Sequence, residues 1–236
     1  MSVMGDGVRT FLRGIGQTLI TLGVVVLLFC VYELEITNIY TGKQQHALAQ
    51  DLKDAWAAPT PAPSPVRPGT VAPAAPVAVP LGQGLAVLRI PRLGRSYAKV
   101  VLEGVGVPDL KRGPGHYPGT ALPGAVGNVV VSGHRTTYGA PFADLDRLVP
   151  GDAVVLETRD SWFTYRMTGV QIVAPTAIEV TYAVPGNPTA TPTQRLLTLT
   201  TCNPKYSAKQ RLVVRARLES RLAKAPGVVP PALTED

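Results

Sequence analysis

A proline-rich stretch divides the chain. Residues 59–80 contain eight prolines, separated mainly by alanine, threonine and valine. Proline lacks a backbone N–H and its ring breaks helices, so neither a helix nor a central strand can cross this stretch. The composition predicts an extended polyproline II segment with a reach of about 68 Å, at ~3.1 Å per residue. We therefore expect a semi-rigid spacer between an N-terminal part and a C-terminal domain.

The N-terminal part contains a candidate membrane span. Residues 14–32 form a run of 19 residues without a charge, which as a helix would span ~28 Å, about one hydrocarbon core. Arg9 and Arg13 precede the run, and Glu33 and Glu35 follow it. This asymmetry predicts a cytoplasmic N-terminus and an extracellular C-terminal part. A cleaved signal peptide is the alternative, but the run is long for one and no small-x-small cleavage site follows it.

Residues 34–57 lack proline and have apolar residues at helical spacing, namely Leu48, Leu52 and Trp56. This pattern predicts a juxtamembrane helix with one apolar face. If the spacer prediction holds, this helix lies near the bilayer and the proline-rich stretch lifts the following domain away from it.

From residue 84 onward, short strand-like runs recur between glycine and proline turns. Seven strands are predicted, at residues 85–90, 97–102, 128–132, 153–158, 162–173, 196–201 and 211–218, with a short helix at residues 142–148. Many short strands with little helix indicate an all-β domain that closes, or nearly closes, into a barrel. The tail from residue 221 is predicted to be flexible, because proline and small residues dominate it.

The charge is distributed unevenly. Residues 1–83 carry five basic and five acidic side chains, so the net charge of +7 lies entirely in residues 84–236. A basic outer domain is attracted to anionic lipid head groups or acidic wall polymers. Nucleic acid is a poor candidate partner, because the arginines are dispersed and no recognition motif accompanies them.

The two cysteines, Cys30 and Cys202, cannot form a disulfide framework, because Cys30 lies in the predicted membrane span. Cys202 ends an apolar run at residues 196–201, and the following Asn-Pro cannot extend a sheet. Arg211 opens the next strand, so the arginine would lie near the thiol if the two strands pair. A buried structural cysteine is the alternative for a lone thiol.

A thiol needs a partner that takes its proton before it attacks a carbonyl. His134 follows the β-run at residues 129–133 and is the candidate. His116 is the rival, but proline and glycine surround it, so we assign it to a shaped loop. His46 lies in the juxtamembrane segment. Arg215 and Arg217 share a strand face with Arg211 by alternation and are expected to be solvated surface charges.

Three motifs together resemble those of the sortases, the transpeptidases of the Gram-positive cell wall. These are GPGHYPGT at residues 113–120, SGHRTT at residues 132–137, and TLTTCNP at residues 198–204. Their spellings are most similar to class E, and the resemblance covers roughly residues 84–220. It implies an eight-stranded β-barrel and a cysteine transpeptidase with Cys202, His134 and Arg211 as catalytic residues.

The resemblance also implies a substrate and partners. The enzyme would cleave a C-terminal LAxTG or LPxTG sorting signal of a surface protein between Thr and Gly, through a thioacyl intermediate. It would then transfer the protein to an amine of a lipid-linked peptidoglycan precursor. Tyr117, Thr200 and Thr201 are the expected substrate-binding residues, with loop packing as the alternative for Tyr117 and support of the strand as the alternative for the two threonines. Hydrolysis without transfer, and a non-catalytic wall-binding domain, are the alternatives.

The expected organisation is a membrane protein with one span and an extracellular, monomeric catalytic domain. The segments are a cytoplasmic N-terminus at 1–13, an anchor at 14–32, a juxtamembrane helix at 33–57, a linker at 58–83, the catalytic domain at 84–220 and a tail at 221–236. The sequence lacks Asp-Pro, which disfavours the lidded pilus-assembling sortases. No acidic cluster suggests calcium and no His/Cys set suggests zinc, so no cofactor is expected.

Overall fold

The computed structural model describes residues 3–32, 37–58 and 79–234. The polyproline II prediction for the proline-rich stretch falls almost entirely outside these residues. The N-terminal part forms two long helices, α1 at Val3–Val31 and α2 at Thr37–Ala57. Within α1, Gly7–Val31 is long and apolar enough to cross a membrane. The predicted apolar helix is therefore present, and it begins before residue 14.

The C-terminal part is a closed barrel of eight strands, as predicted. The strands are β1 Gly84–Arg89, β2 Ala98–Glu103, β3 Gly115–His116, β4 Gly127–Ser132, β5 Ala153–Glu157, β6 Ser161–Val173, β7 Arg195–Asn203 and β8 Gln210–Ala223. Their order around the barrel is β1-β2-β3-β4-β7-β8-β6-β5. β4 and β7 are parallel neighbours, and β7 pairs with β8 in antiparallel orientation.

Short helices occupy the connections. A single turn, α3, covers Val107–Leu110, and 3-10 turns cover Pro91–Leu93, Leu145–Arg147, Ile178–Thr181 and Pro231–Leu233. The helix predicted at residues 142–148 is thus reduced to one 3-10 turn. β8 continues into the predicted tail, where its last residues pair with the start of β6, Ser161 opposite Ala223.

The core lies inside the barrel and follows strand alternation. On β7, Leu197 and Leu199 are buried in it, so Thr198, Thr200 and Cys202 face outward. On β4, Val129 and Val131 point inward, and Val130 and Ser132 therefore point outward. On β8, the core residues are Leu212, Val214 and Ala216, which leaves Arg211, Arg215 and Arg217 on the outer face.

Helix α2 packs against the outside of the barrel. Leu48 and Leu52 are buried against Val100 and Leu102 of β2. The helical spacing predicted the helix but not this packing. The side chain of Gln45 accepts a hydrogen bond from the Val100 N–H at 2.8 Å and donates one to the Val100 carbonyl at 3.2 Å. The juxtamembrane helix is therefore structurally part of the barrel domain, although the proline-rich stretch separates the two in sequence.

Candidate active site

Cys202 and Arg211 lie directly opposite each other at one end of the barrel. They are paired positions of the β7–β8 ladder, and paired residues of neighbouring strands point to the same face. Both side chains are half-buried. Arg215 pairs with Thr198, four residues from Cys202, or about 13 Å along the strand at ~3.3 Å per residue. Register therefore singles out Arg211 among the arginines of this face.

His134 lies level with Cys202. Ser132 and Thr200 are paired in the parallel β4–β7 ladder, and His134 and Cys202 each lie two residues beyond that pair. The Gly133 N–H continues the ladder by donating to the Thr200 carbonyl at 3.1 Å. Since neighbouring strands are ~4.8 Å apart, this register brings the imidazole and the thiol to the same end of the barrel.

The turn before His134 is tightly fixed. The Thr201 hydroxyl donates to the Gly133 carbonyl at 2.8 Å, and a Cβ on Gly133 would lie 2.7 Å from the Phe142 ring. Only glycine fits this close approach. Thr201 is buried and belongs to the inward-facing series of β7. Its side chain therefore contacts the turn before His134 and does not lie on the outer face of the barrel.

Arg135 joins the histidine segment to the cysteine segment. Its guanidinium donates to the Cys202 carbonyl at 3.2 Å and to the Asn203 side-chain oxygen at 2.6 Å. It also forms an ion pair with Asp146 at 3.0 Å, with only 4% of its side chain exposed. Arg135 lies within the SGHRTT motif, but the sequence predicted no role for it. The position of Arg135 next to His134 is the feature of the sequence that points to a role. The contact with Cys202 is visible only in the tertiary structure.

His134 is held in its neutral form. Burial lowers the pKa of its imidazole below the usual 6.5, and the positive charge of Lys111 lowers it further. The ring lies against Tyr138, with centroids 5.0 Å apart, and the Lys111 ammonium lies 5.4 Å from the centre of the same tyrosine ring. A neutral imidazole near pH 7 can accept a proton from a thiol.

His116 occupies a different environment and belongs to β3 instead of a loop. Its side chain is 1% exposed, and its Nδ1 lies 2.7 Å from the Glu103 carboxylate. Its Nε2 lies 3.0 Å from the Ala121 carbonyl and 2.9 Å from the Thr120 hydroxyl. Because that hydroxyl donates its hydrogen to the Tyr117 carbonyl at 2.7 Å, Nε2 must be a donor. Hydrogen bonds therefore occupy both ring nitrogens and fix the side chain between Glu103, Thr120 and Ala121.

The outer face of β4 and β7 runs up to the catalytic end of the barrel. Tyr117 lies beside β4, because its N–H donates to the Val130 carbonyl at 2.9 Å. Thr200 belongs to the same outward series of β7 as Cys202, two residues before it. The β6–β7 connection crosses the other end, where the Asn128 amide donates to the carbonyls of Val180 and Tyr182, both at 3.1 Å.

Comparison with known proteins identifies the family. The model of the Sortase domain matches residues 88–219. The chain belongs to the sortase family. It is 34% identical over 223 residues to Sortase SrtE1 of Streptomyces coelicolor, an alignment that covers 91% of this chain and 59% of that protein. Less than two thirds of that relative's length is therefore represented.

Two solved sortase structures are similar throughout the barrel. Sortase E from Streptomyces avermitilis has a TM-score of 0.60 and 45% identity, covering 66% of this chain and 99% of that one. Sortase E1 from S. coelicolor with a tripeptide in the active site has a TM-score of 0.58 and 35% identity, covering 64% and 97% respectively. These matches confirm both the class E resemblance and the sortase-type barrel.

Neither a metal nor a disulfide is visible in this sortase domain. Within residues 3–32, 37–58 and 79–234, no group of three or more His, Cys, Asp or Glu could hold a metal ion. Both cysteines are free thiols, Cys30 exposed on α1 and Cys202 half-buried. A cavity of about 670 Å³ lies between α2 and the barrel, and its lining contains none of Cys202, His134 and Arg211.

Proposed function

We propose that this sortase is a membrane-anchored cysteine transpeptidase. It cleaves a C-terminal LAxTG or LPxTG sorting signal between Thr and Gly and transfers the protein to an amine of a lipid-linked peptidoglycan precursor. The observation that carries the proposal is the register of three strands, which brings Cys202, Arg211 and the segment bearing His134 to one end of the barrel.

In the first half-reaction, neutral His134 accepts the proton of the Cys202 thiol as the sulfur attacks the threonine carbonyl. The resulting imidazolium donates this proton to the departing glycine amine when the peptide bond breaks. The products are a thioacyl enzyme and a free amine. The lowered pKa of His134 supports the first of these steps, because the imidazole enters the reaction unprotonated.

Arg211 stabilises the negative charge that develops on the carbonyl oxygen. Its planar guanidinium carries several donors and stays charged throughout the reaction. One of its nitrogens donates to the carbonyls of Ala208 and Gln210, both at 3.0 Å, and these bonds fix the arm beside Cys202. Arg211 thus acts from the strand opposite the nucleophile.

The sorting signal binds along the outer face of β4 and β7. Tyr117 is opposite Val130, four residues before His134, so it lies about 13 Å along the strand direction from the catalytic end. An extended peptide covers this distance in roughly four residues, which brings Tyr117 to the part of the signal before its threonine. Thr200 contacts the residues nearer to the thiol, and Thr201 acts through the Gly133 turn. Sortase E1 from Streptomyces coelicolor holds a tripeptide in its active site, which supports a peptide as the ligand of this site.

In the second half-reaction, the amine of the peptidoglycan precursor gives a proton to His134 and attacks the thioacyl carbonyl. An amide forms and the Cys202 thiol is restored. We place the N-terminus in the cytoplasm, α1 across the membrane and the barrel outside, acting as a monomer on surface proteins. The charges on either side of α1 support this orientation.

The test uses the full chain in liposomes with two quenched peptides, containing LAxTG or LPxTG, each with and without an added amine. We expect cleavage between Thr and Gly, with mass spectrometry detecting an amide product when the amine is present. Cys202→Ala removes the nucleophile without changing a buried contact, so we expect activity to fall by at least about 10³-fold with an unchanged folded state.

Cys30→Ala is the matched control, because it removes the other thiol and should retain full activity. If only hydrolysis products form in the presence of amine, the protein is a thiol hydrolase. No cleavage of either peptide by the folded chain would instead favour a non-catalytic wall-binding domain. If the Cys202→Ala protein keeps more than a tenth of the normal cleavage rate, Cys202 is not the nucleophile.

A further inference from the structure

Helix α2 is attached to the barrel along its whole length. In addition to the buried leucines and Gln45, the Asn38 side-chain oxygen accepts a hydrogen bond from the Gly139 N–H at 2.7 Å. The Thr41 hydroxyl donates to the Lys111 carbonyl at 3.0 Å. At the other end of α2, Arg159 donates to the carbonyls of Ala55 and Trp56 at 3.0 and 3.1 Å.

These contacts give α2 a defined direction. Gly139 lies in the loop that follows His134, so the N-terminal end of α2 is at the catalytic end of the barrel. Arg159 lies in the β5–β6 turn, and Lys224 directly after β8 stacks on Trp56 at 4.4 Å. β6 ends and β8 begins near the catalytic end, so this turn lies at the opposite end. The helix therefore runs from the catalytic end to the far end, over about 31 Å at 1.5 Å per residue.

The direction of α2 determines which end of the barrel faces the membrane. From Tyr32, after the end of α1, to Thr37, at the start of α2, there are five Cα–Cα steps, which span at most about 18 Å in any conformation. The proline-rich stretch, in contrast, leaves α2 at the far end. The Ala58 carbonyl there contacts Arg159, and the stretch returns at Gly84, beside Leu52.

We propose that α2 holds the catalytic end of the barrel against the outer surface of the membrane, with lipid head groups as the partner of this end. The proline-rich stretch then does not set the height of the active site, because the helix before it and the strand after it both belong to the barrel domain. This inference rests on the membrane anchoring in the proposed function. It accounts for a site that works on a lipid-linked acceptor.

The side chains at the catalytic end have the chemistry of a membrane interface. Ile39 and Tyr40 of α2 are 61% and 62% exposed, and Tyr206, in the loop after Cys202, is 81% exposed. Aromatic side chains favour the head-group region, and lysines such as the exposed Lys43 and Lys209 are attracted to anionic lipids. Leu81 and Val107 are also exposed, so the short connection between α1 and α2, and not apolar exposure alone, decides the orientation.

The experiment measures the distance of each barrel end from the bilayer. In a Cys30→Ala, Cys202→Ala background of the full chain, Lys209→Cys and Asp160→Cys provide single labelling sites at the catalytic and far ends. The protein is reconstituted into liposomes of phosphatidylcholine and phosphatidylglycerol with an acceptor dye on outer-leaflet head groups. We expect at least about twofold stronger energy transfer from position 209 than from position 160, because α2 separates the two ends by about 31 Å.

Two insertions then distinguish the effect of the connection between α1 and α2 from that of the proline-rich stretch. A 20-residue Gly/Ser insert between residues 34 and 35 adds a reach of about 25 Å and should lower the transfer from position 209. The same insert between residues 68 and 69 should leave it unchanged. Equal transfer from both positions, or a loss caused by the linker insert, would overturn the inference.

The readout does not depend on catalysis. Flotation of the liposomes reports whether the chain is anchored at all. Failure to float contradicts the anchoring in the proposed function, and the inference with it. If the chain floats with the liposomes but energy transfer is equal from positions 209 and 160, the orientation of the barrel is contradicted and the membrane anchoring is not.

Discussion

The two histidines of the barrel domain, His116 and His134, lie on neighbouring segments but have opposite properties. His116 is inside the β3–β4 ladder, with both ring nitrogens bonded and a carboxylate beside it. His134 lies past the end of β4, against an aromatic ring, in a setting that lowers its pKa. One imidazole is fixed by hydrogen bonds at both ring nitrogens, and the pKa of the other is lowered by burial and by Lys111.

The two histidines differ in their position relative to the end of a strand, and this position determines which partners each ring has. Inside the ladder, neighbouring carbonyls and the Glu103 carboxylate saturate the ring of His116. Beyond the ladder, the Gly133 turn directs the next residue towards the end of β7. A histidine at that point lies at the same end of the barrel as the thiol, where the proposed function gives it a catalytic role, whereas His116 is a structural residue of β3.

The largest effect is expected on the rate. His134→Ala removes the group that accepts and returns the proton, so kcat for peptide cleavage should fall by about 10³-fold. The thermal unfolding temperature should remain close to that of the unmodified protein, because the ring is only half-buried. Steady-state cleavage of the quenched peptides and calorimetry provide the two measurements. A fall in kcat accompanied by a large loss of thermal stability would indicate that His134, like His116, has a structural role.

The reverse result is expected for His116→Ala. Removing the imidazole leaves the buried Glu103 side chain and the Ala121 carbonyl without this hydrogen-bond partner, which destabilises proteins by about 1–3 kcal/mol for each buried group. Denaturant unfolding measures this loss. His46→Ala, at an exposed position of α2, is the control and should change the free energy of unfolding by less than about 0.5 kcal/mol. An unchanged free energy of unfolding in His116→Ala would contradict a stabilising role of these hydrogen bonds.

The sequence predicted His134 but not the role of His116, for a physical reason. Strand alternation, a glycine turn and a thiol at a strand end are local patterns, so the barrel, the Cys202–Arg211 pairing and the long strands were predictable. The partner of His116 is Glu103, thirteen residues earlier and in another strand. β3 has only two residues, too few for any periodicity to show. The docking of α2 was also invisible, because composition cannot show that a linker returns to the same domain.

A smaller effect is expected from loosening the contact between the two catalytic segments. Arg135→Lys keeps the charge but loses the planar fork that reaches the Cys202 carbonyl, Asn203 and Asp146 together. We expect kcat to fall by roughly tenfold, and stability by about 1–3 kcal/mol from the unpaired buried acceptors. Arg147→Lys, whose ion pair with Asp144 is exposed, is the matched control. Equal effects of the two substitutions would argue against a specific role of Arg135.

The smallest effect is expected from removing the charge of Lys111, which lies near His134. Lys111→Gln removes the charge that helps to lower the pKa of His134, so this pKa should rise towards 6.5 but stay below it, because burial still acts. Titration of the imidazole signal by NMR in a Cys202→Ala background measures the change. Lys53→Gln, on the far half of α2, is the control and should leave the titration unchanged.

The same substitution should alter the dependence of stability on pH. Because the pKa of His134 is lower in the folded protein than its ordinary 6.5, the unfolded chain binds the proton first as the pH falls. The stability contributed by neutral His134 is therefore complete above pH 6.5 and is lost as the pH falls through the lower, folded pKa. Lys111→Gln narrows the gap between the two pKa values and should make this acid loss shallower. An unchanged slope in denaturant unfolding below pH 6.5 would show that Lys111 does not act on His134.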